Sequence, residues 1–347
     1  MRPRVVLVTG VSRYLGWRIA ALLQADPEIE RVVGVDTVPP KGDLGRTEFV
    51  RADIRNPLIA KVLAAASVDT VVHMNVIATP LGAGGRSTMK EINVIGTMQL
   101  LAACQKAPSM SKLVVKSTTS VYGSSPRDPA LFTEDTEPRE LPRTGYAKDA
   151  VEVEGYVRGF GRRRPDVTLT VLRFTNFIGP RIETPLTRYF SLPVVPVVPA
   201  VLGYDPRLQF CHENDGIEVL RRATLEDHPG IYNVGGAGVL LLSQAARRAG
   251  RPSVPVPSPA VALVGRVFRR AGLVDYSPEQ LHFLEHGRAV DIRRLREQFG
   301  YSPAYTTMSA FDDFVRGRGL HKVINPDVVK RTEQTLLGAL TRRPGRA

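Results

Sequence analysis

The chain has 347 residues, of which 43% are hydrophobic and 23% are charged, values typical of a globular protein with a sizeable core rather than of a disordered or fibrous chain. Its net charge of +13, carried by 38 Arg and 9 Lys, indicates an anionic small molecule, a nucleic acid or an acidic membrane surface as partner, unless it reflects only genomic base composition. Two cysteines exclude a disulfide framework and favour the reducing cytoplasm, and no apolar run is long enough for a membrane-spanning helix.

The first half of the chain alternates short β-branched runs with amphipathic stretches. Such alternation is typical of parallel strands joined by crossover helices. It predicts an α/β fold with a Rossmann-type doubly wound parallel sheet. The runs, in chain order, are RVVLVT at 4–9, LGWRIAALLQ at 15–24, RVVGVD at 31–36, DTVVHM at 69–74, MKEINVIGTMQLLAACQK at 89–106, KLVVKST at 112–118 and DVTLTVLRF at 166–174.

The first strand ends in Thr9-Gly10 and passes into a helix at Leu15-Gly16. Gly10 allows a tight turn, Gly16 allows the helix to pack closely on the sheet, and the helix N-terminus favours a pyrophosphate. Asp36 ends the second strand, where a carboxylate accepts hydrogen bonds from an adenosine ribose and opposes a 2′-phosphate. The loop therefore predicts a dinucleotide, NAD in preference to NADP, held by Gly10, Ser12, Arg13, Tyr14, Leu15, Gly16, Asp36, Asp53, Ile54, Met74 and Asn93.

The strand–helix pattern loosens after Pro180, and we predict three regions. Residues 1–180 form the NAD-binding Rossmann domain. Residues 181–318 form a smaller C-terminal substrate-binding region that also returns elements to the sheet, and residues 319–347 form a helical, basic tail. The proline-rich apolar segment at 190–204 is predicted to be a lid, with cover for an apolar substrate or contact with a membrane as alternatives.

Further motifs follow in order: NVIGT at 93–97, STTSVYG at 117–123, LRFTNFIGP at 172–180, QFCHENDGI at 209–217, YNVGG at 232–236 and VDIRRLREQFGYSP at 290–303. With the opening loop, they make residues 4–318 resemble the extended short-chain dehydrogenase/reductases of the NAD-dependent epimerase/dehydratase family. The chain is most similar to a bacterial subgroup named for UDP-glucose 4-epimerases, whose members often lack part of the active site.

Arg13 stands in the place of the middle glycine of the family's opening motif, TGxxGxxG. Its side chain either crowds the space in which the backbone approaches the phosphates, or folds its guanidinium over the pyrophosphate and binds it in bidentate fashion. We favour retained binding because Gly10, Gly16 and Asp36 are all present. An arginine here also weakens the preference for NAD, so NADP is an alternative cofactor.

The resemblance implies a catalytic Tyr, a Lys four residues later, and a Ser or Thr at the end of a strand. Thr118 and Tyr146 match the hydroxyl residues, but Ala150 occupies the lysine position. A free phenol has a pKa of about 10, so a nearby cation is needed to make it a base at neutral pH. Lys148 lies on the opposite side of the helix from the tyrosine. We predict that Lys116, on the same strand face as Thr118, supplies the displaced cation; alternatively, it only extends to the sheet edge.

Several other polar residues at family positions are predicted to be structural. His73 is expected to be a hydrogen-bonded core residue, and Asn93 matches an asparagine that bends a helix. His212, Glu213 and Asp215 belong to a stretch that matches a structural motif of the family, so no metal site is predicted.

Two positions bear on the substrate. The resemblance implies that Asn176 lies on the substrate side. Sugar epimerases of the family often hold the nucleotide with an Arg whose place is taken here by Leu208, with Arg207 beside it. Arg207 is therefore the candidate for this contact. Because Leu208 replaces the usual Arg, the prediction of a nucleotide-sugar substrate is weakened.

The sequence predicts an NAD-dependent sugar-nucleotide epimerase or dehydratase of the UDP-glucose 4-epimerase type. The alternatives are a non-catalytic NAD(P)-binding sensor or scaffold and an NADP-linked reductase of an apolar ketone. The family implies a homodimer, paired through 88–106 and 145–162. Basic residues are not interleaved with aromatic residues, so no nucleic-acid partner is predicted. The predicted location is the cytoplasm, with peripheral contact of Arg266, Arg269 and Arg270 with anionic lipid as an alternative.

Overall fold

The computed structural model describes residues 3–78, 84–137, 141–142, 144–191, 198–201, 204–251, 253–256, 278–320 and 331. Its strands are β1 (Val5–Thr9), β2 (Arg31–Asp36), β3 (Glu48–Arg51), β4 (Thr70–His73), β5 (Lys112–Thr118), β6 (Thr168–Phe174), β7 (Asn176–Ile178), β8 (Val198–Val201), β9 (Arg207–Leu208), β10 (Phe210–His212), β11 (Gly230–Val234), β12 (Leu240–Leu241) and β13 (Ser253–Val256).

The helices lie between these strands and after the last of them. They are α1 (Tyr14–Leu23), α2 (Leu58–Ala65), α3 (Arg86–Lys90), α4 (Thr97–Lys106), α5 (Gly145–Arg163), α6 (Pro185–Ser191), α7 (Glu213–Leu225), α8 (Leu242–Arg248), α9 (Pro278–His286), α10 (Arg293–Glu297) and α11 (Thr307–Arg318). A π-helical turn, Glu91–Gly96, joins α3 to α4, and a 3₁₀ turn, Thr119–Tyr122, follows β5.

Seven strands form one parallel sheet in the order β11-β6-β5-β4-β1-β2-β3. The chain runs from β1 outward to β3 and then returns to β4 on the other side of β1. This reversal opens a crevice at the carboxyl ends of β1 and β4, which is where doubly wound folds bind ligands. The predicted Rossmann-type sheet is confirmed, and β11 shows that the chain after Pro180 does return to it.

The two faces of the sheet carry separate apolar cores because successive strand residues point to opposite sides. In β1, Val6 and Val8 pack beneath α1 and α7, whereas Leu7 packs beneath α2, α4 and α5. A third core, which includes Phe190, Phe210 and Phe311, lies under α6, α8 and α11. The third core belongs to the region after Pro180 and places that region beside the crevice.

Some sequence predictions concern segments without a structural account. Most of the predicted lid at 190–204, the basic stretch with Arg266, Arg269 and Arg270, and most of the predicted tail at 319–347 lie outside the described residues. Within the described part of the chain, no helix is long and apolar enough to cross a bilayer.

Candidate active site

The turn between β1 and α1 is built around two glycines. Gly10 has a φ of +75°, and a Cβ there would lie 3.0 Å from Asn75 Oδ1. A Cβ on Gly16 would lie 2.1 Å from the carbonyl oxygen of Gly10, so α1 approaches the turn at a distance that only glycine permits. The tight turn and close helix packing predicted for these two residues are confirmed.

Asp36 ends β2 beneath this turn and is buried. Its Oδ2 accepts hydrogen bonds from the backbone N–H of Ser12, at 3.0 Å, and from the Ser12 hydroxyl, while its Oδ1 accepts from the N–H of Thr37 at 2.7 Å. Burial lowers the pKa of the neighbouring Arg13 guanidinium, and the charge of Asp36 opposes that shift. Asp36 therefore fixes the shape of the turn and holds a negative charge beside Arg13.

Asp53 and Ile54, predicted to hold the cofactor, make close contacts within the protein. Arg55 donates to both carboxylate oxygens of Asp53, with Nη2 2.6 Å from Oδ2, and this hydrogen bonding lowers the pKa of Asp53. Ile54 packs so closely on Gly96 that a Cβ there would lie 2.7 Å from its side chain. Their part in cofactor binding stays a prediction.

A cavity of about 730 Å³ extends from the glycine turn to the first turn of α5. Its walls come from the ends of β1, β4, β5 and β6 and from α9, so it lies at the carboxyl edge of the sheet. The predicted site residues that line it are Gly10, Arg13, Tyr14, Leu15, Gly16, Met74, Lys116, Thr118, Tyr146 and Asn176.

Arg207, the candidate for a nucleotide contact, lies away from the cavity wall. Its backbone in β9 pairs with Gly287, and its carbonyl oxygen accepts from the N–H of Arg288 at 3.0 Å. In the described part of the chain its side chain is not among those that line the cavity. A role for Arg207 in binding substrate stays a prediction.

Tyr146 and Thr118 share a side-chain hydrogen bond in the wall of the cavity. Tyr146 lies in the first turn of α5 and Thr118 at the end of β5. Burial raises the pKa of the Tyr146 phenol to about 12, and the hydrogen bond with Thr118 opposes this shift. The phenol is therefore neutral at physiological pH unless charge near it changes.

The lysine position of the family carries no charge in this chain. Ala150 is completely buried and belongs to the same apolar cluster as Val121 and Phe132. Lys148 lies on the outer face of α5, where its Nζ is 3.8 Å from Glu152 Oε1. That Lys148 cannot replace the missing lysine stays a prediction, and its exposed position beside Glu152 agrees with it.

Lys116 extends from β5 toward the segment that follows β4. Its Nζ donates to the carbonyl oxygen of Val76 at 3.0 Å. Burial, and then the positive charge of Arg13, lower the pKa of Lys116 to about 8. The charged neighbour that affects the pKa of Lys116 is thus Arg13, at the glycine turn. An effect of Lys116 on Tyr146 stays a prediction.

A buried ion pair supports the floor of the cavity. Arg173 on β6 donates through Nη2 to Glu154 Oε2 at 2.7 Å and through Nε to Oε1 at 3.0 Å. The Ser117 hydroxyl donates to the same carboxylate at 2.6 Å, and Arg173 Nη1 donates to the Tyr122 hydroxyl at 2.8 Å. Because Ser117 directly precedes Thr118, this network fixes the end of β5.

His73 and Asn93 make hydrogen bonds within the protein, and the predicted part of Asn93 in cofactor binding stays a prediction. Both ring nitrogens of His73 are hydrogen-bonded, to the hydroxyls of Thr9 at 2.9 Å and Thr97 at 2.8 Å, and burial lowers its pKa to about 3. Asn93 lies in the π-helical turn, accepts from the N–H of Ile77 at 2.7 Å and donates to its carbonyl at 2.9 Å. Asn93 thereby ties the segment after β4 to the helix.

His212, Glu213 and Asp215 face different partners. His212 Nε2 lies 3.1 Å from Asp313 Oδ2, and Glu213 accepts from the Tyr14 hydroxyl at 2.9 Å. Asp215 accepts from the hydroxyl of Tyr301 and from the backbone N–H groups of 304 and 305. These contacts join α7 to α1 and α11, in agreement with a structural motif.

Two features of the cavity were not predicted. Arg288 lies in its wall, near Tyr146. His282, Glu285 and His286 on α9 place one ligand atom each within 4.8 Å of one another, and the two histidines line the cavity. Imidazole and carboxylate are ligand types that Zn²⁺ takes. The signal for this group was the H-x-x-E-H spacing on one helix.

The doubly wound sheet, with a glycine turn at its switch point, defines a Rossmann-type α/β protein. Residues 6–235 match the model of the NAD dependent epimerase/dehydratase family, and the chain belongs to this family.

Known relatives cover 90–98% of the chain. The chain is 48% identical over 344 residues to the uncharacterized protein Rv0501 of Mycobacterium tuberculosis (strain H37Rv). The matched region covers 98% of this chain and 91% of that protein. UDP-glucose 4-epimerase of Thermotoga maritima, solved with UDP-glucose, has a TM-score of 0.67 at 17% identity over 90% of this chain and 98% of that one. UDP-glucuronic acid 4-epimerase of Bacillus cereus, solved with UDP-glucuronic acid and NAD, has a TM-score of 0.68 at 20% identity over 90% and 99%. The two solved structures share the fold of this chain.

Proposed function

We propose that the protein is an NAD-dependent epimerase or dehydratase that acts on a nucleotide-linked sugar. The observation that carries this proposal is that Tyr146 and Thr118 share a hydrogen bond in the wall of a cavity that the Gly10–Gly16 turn also lines. A cofactor at the turn would thereby reach the hydroxyl pair. The solved relatives named above bind UDP-sugars, and one of them also holds NAD.

The residues at the turn fit a dinucleotide. Gly10 and Gly16 leave no room for side chains, and the first residues of α1 line the cavity, which brings the positive end of the helix to the site. Arg13 and Lys116 add positive charge for the pyrophosphate. Among the described residues, Asp36 does not line the cavity, and its carboxylate accepts from Ser12 and Thr37, so its contact with a ribose stays a prediction. NAD, when bound, supplies a hydride acceptor that can return the hydride to the sugar.

The hydroxyl pair has a proton-transfer role in this proposal. Tyr146 Oη takes the proton of the reacting sugar hydroxyl and later returns it, while Thr118 holds the same oxygen by a hydrogen bond. Asn176, at the start of β7, lines the cavity on the substrate side. Burial of Tyr146 excludes water from this transfer, but it also disfavours the phenolate that the transfer needs.

The decisive experiment is to purify the protein, identify any bound nucleotide by mass spectrometry, and test UDP-glucose, UDP-glucuronic acid and dTDP-glucose for reduction of bound NAD. We expect turnover with one sugar nucleotide and a loss of about 100-fold or more in kcat for Tyr146→Phe. Tyr156→Phe, which changes an exposed tyrosine of the same helix, is the matched control.

Two outcomes favour the alternatives instead. Tight binding of NAD without turnover on any of the sugar nucleotides would indicate a sensor or scaffold. Preference for NADP, with free exchange of the cofactor and reduction of an apolar ketone, would indicate a reductase. Absence of any dinucleotide binding would contradict all three.

The proposal includes a homodimer. The helices α4 and α5 pack on one another, and with the adjoining π-helical turn they expose three large apolar side chains, Ile95, Met98 and Tyr156, of which 37–41% remains accessible. An adjacent pair of helices with exposed apolar residues is suited to pairing with a second copy. This is also the pair of segments that the family resemblance implies.

A further inference from the structure

The catalytic phenol needs a cation that its own helix does not supply. Ala150 is buried among apolar residues, and Lys148 is held at the surface by Glu152. With burial raising its pKa to about 12, Tyr146 is a poor base near neutral pH. A stabilising charge must therefore come from a different part of the fold.

Arg288 reaches the cavity from a segment far along the chain. It follows α9 and Gly287. Gly287 has a φ of +69°, and a Cβ there would lie 2.4 Å from the carbonyl oxygen of Arg207, so only glycine fits this position. The backbone N–H of Arg288 donates to the carbonyl of Arg207, and its guanidinium lies 5.1 Å from the centre of the Phe283 ring. The backbone contact and the ring together fix the direction of the side chain.

The guanidinium ends beside the hydroxyl pair. Arg288 Nη1 donates to the carbonyl of Gly123 at 2.6 Å, and Nη2 donates to the Ser120 hydroxyl at 3.0 Å. Ser120 Oγ also accepts from Thr118 Oγ1 at 3.2 Å, and Thr118 is hydrogen-bonded to Tyr146. Arg288 is thus joined to the phenol through two hydroxyls.

One donor of this guanidinium is left over. Arg288 Nε is buried and has no hydrogen-bond partner among the residues that the structure describes. A buried unpaired donor costs stability, so its retention at the wall of a cavity points to a role outside folding.

The charges that act on Tyr146 are Arg288, which lowers its pKa, and Asp149, which raises it. Asp149 is held by Arg86 through two contacts, at 2.6 and 2.7 Å, which offset its charge. Burial lowers the pKa of Arg288 itself to about 10, with the charge of Asp128 opposing this shift, so Arg288 is a cation at neutral pH.

We propose that Arg288 is a positioning residue that stabilises the phenolate of Tyr146, in place of the lysine that Ala150 replaces. The inference deepens the proposed function and rests on it for the reaction itself. When the sugar O–H bond breaks, its proton goes to Tyr146 Oη, and Arg288 keeps all of its own protons. The Ser120 and Thr118 hydroxyls connect the Arg288 guanidinium to the Tyr146 phenol by hydrogen bonds.

The test is the ionisation of residue 146, measured by fluorine NMR with a fluorinated, more acidic tyrosine inserted at that position. We expect Arg288→Met to raise the titration midpoint by about one pH unit or more, and Arg288→Lys to restore at least half of the shift. Lys148→Met, which removes an exposed cation from the helix that carries Tyr146, is the matched control and should leave the midpoint unchanged. The titration requires neither cofactor nor substrate, so its result is independent of whether NAD or a sugar nucleotide binds.

An unchanged midpoint in folded Arg288→Met protein would overturn the inference, as would a shift in Lys148→Met of the same size as in Arg288→Met. Should Arg288→Met fail to fold, Ser120→Ala carries the test, because it removes only the hydroxyl between Arg288 and Thr118. A higher midpoint in Ser120→Ala supports the inference, and an unchanged one contradicts it. A rise in KM alone, with kcat and the midpoint unchanged, would mean that Arg288 binds the substrate diphosphate and would also contradict it.

Discussion

Arg13 and Lys116 bring two positive charges to the same end of one cavity, although 103 positions separate them in the sequence. Both side chains line the cavity beside the glycine turn, and the charge of Arg13 adds to burial in lowering the pKa of Lys116 to about 8. Asp36 lies beside Arg13 and offsets part of this positive charge. Two cations in one cavity wall also suit a ligand with phosphate groups.

The first prediction concerns Arg13, which occupies a position that carries glycine in the family. If its guanidinium binds the pyrophosphate, Arg13→Gly should weaken NAD binding about tenfold, the value of one charge-assisted contact. Isothermal titration calorimetry with NAD and NADP measures this. Arg18→Gly, in the helix that follows Arg13, is a control for added flexibility and charge loss. Tighter binding in Arg13→Gly would show instead that the arginine crowds the phosphates.

The second prediction concerns the pH dependence that follows from Lys116. In the folded protein its pKa is about 8, and in the unfolded chain it is about 10.4. Between these values the unfolded state binds more protons, so the stability of the wild-type protein should rise with pH in this interval. Lys116→Met should remove that rise and be more stable at pH 7. Calorimetric melting across the interval is the measurement.

Lys116→Met should weaken NAD binding although it stabilises the protein at pH 7. Contact with phosphate favours the charged ammonium, so NAD affinity should fall as the pH rises through about 8, and Lys116→Met should bind more weakly without this pH dependence. A variant with unaltered NAD affinity would exclude Lys116 from the cofactor site. Unaltered turnover would exclude the catalytic role predicted from the sequence.

The third prediction concerns the buried pair of Glu154 and Arg173. Each residue is less than 8% exposed, and the pair makes two direct hydrogen bonds. Arg173→Met removes the buried charge partner of Glu154, whose other cation, Arg158, is half-exposed at 3.6 Å, and should cost about 3–5 kcal/mol of unfolding free energy. Urea denaturation measures this value. The double variant with Glu154→Gln should recover part of the loss, and a loss no larger than that of Arg4→Met, in an exposed ion pair, would contradict the prediction.

The sheet and the cofactor turn were predictable because their signals are local. The strands alternate with helices, and Gly10 and Gly16 carry a backbone constraint that can be recognised within one βαβ unit. Arg288 was not predictable, since its contact with Ser120 joins residues 168 positions apart and depends on the packing of the third core against the sheet. Asp53 is an intermediate case: its position after β3 predicts a cofactor contact, but its ion pair with Arg55 depends on side-chain orientations that the sequence does not specify.

The fourth prediction concerns the exposed apolar residues of α4 and α5. Met98 and Tyr156 are 37% and 41% exposed, a surface that a second copy would cover. A carboxylate at the centre of such a contact is costly to desolvate, so Met98→Glu and Tyr156→Glu should each shift the protein from dimer to monomer in sedimentation velocity. Leu22→Glu is the matched control, because Leu22 is 39% exposed on α1, which packs on the opposite face of the sheet. Dimers that persist in both variants, or dissociate equally in Leu22→Glu, would place the interface elsewhere.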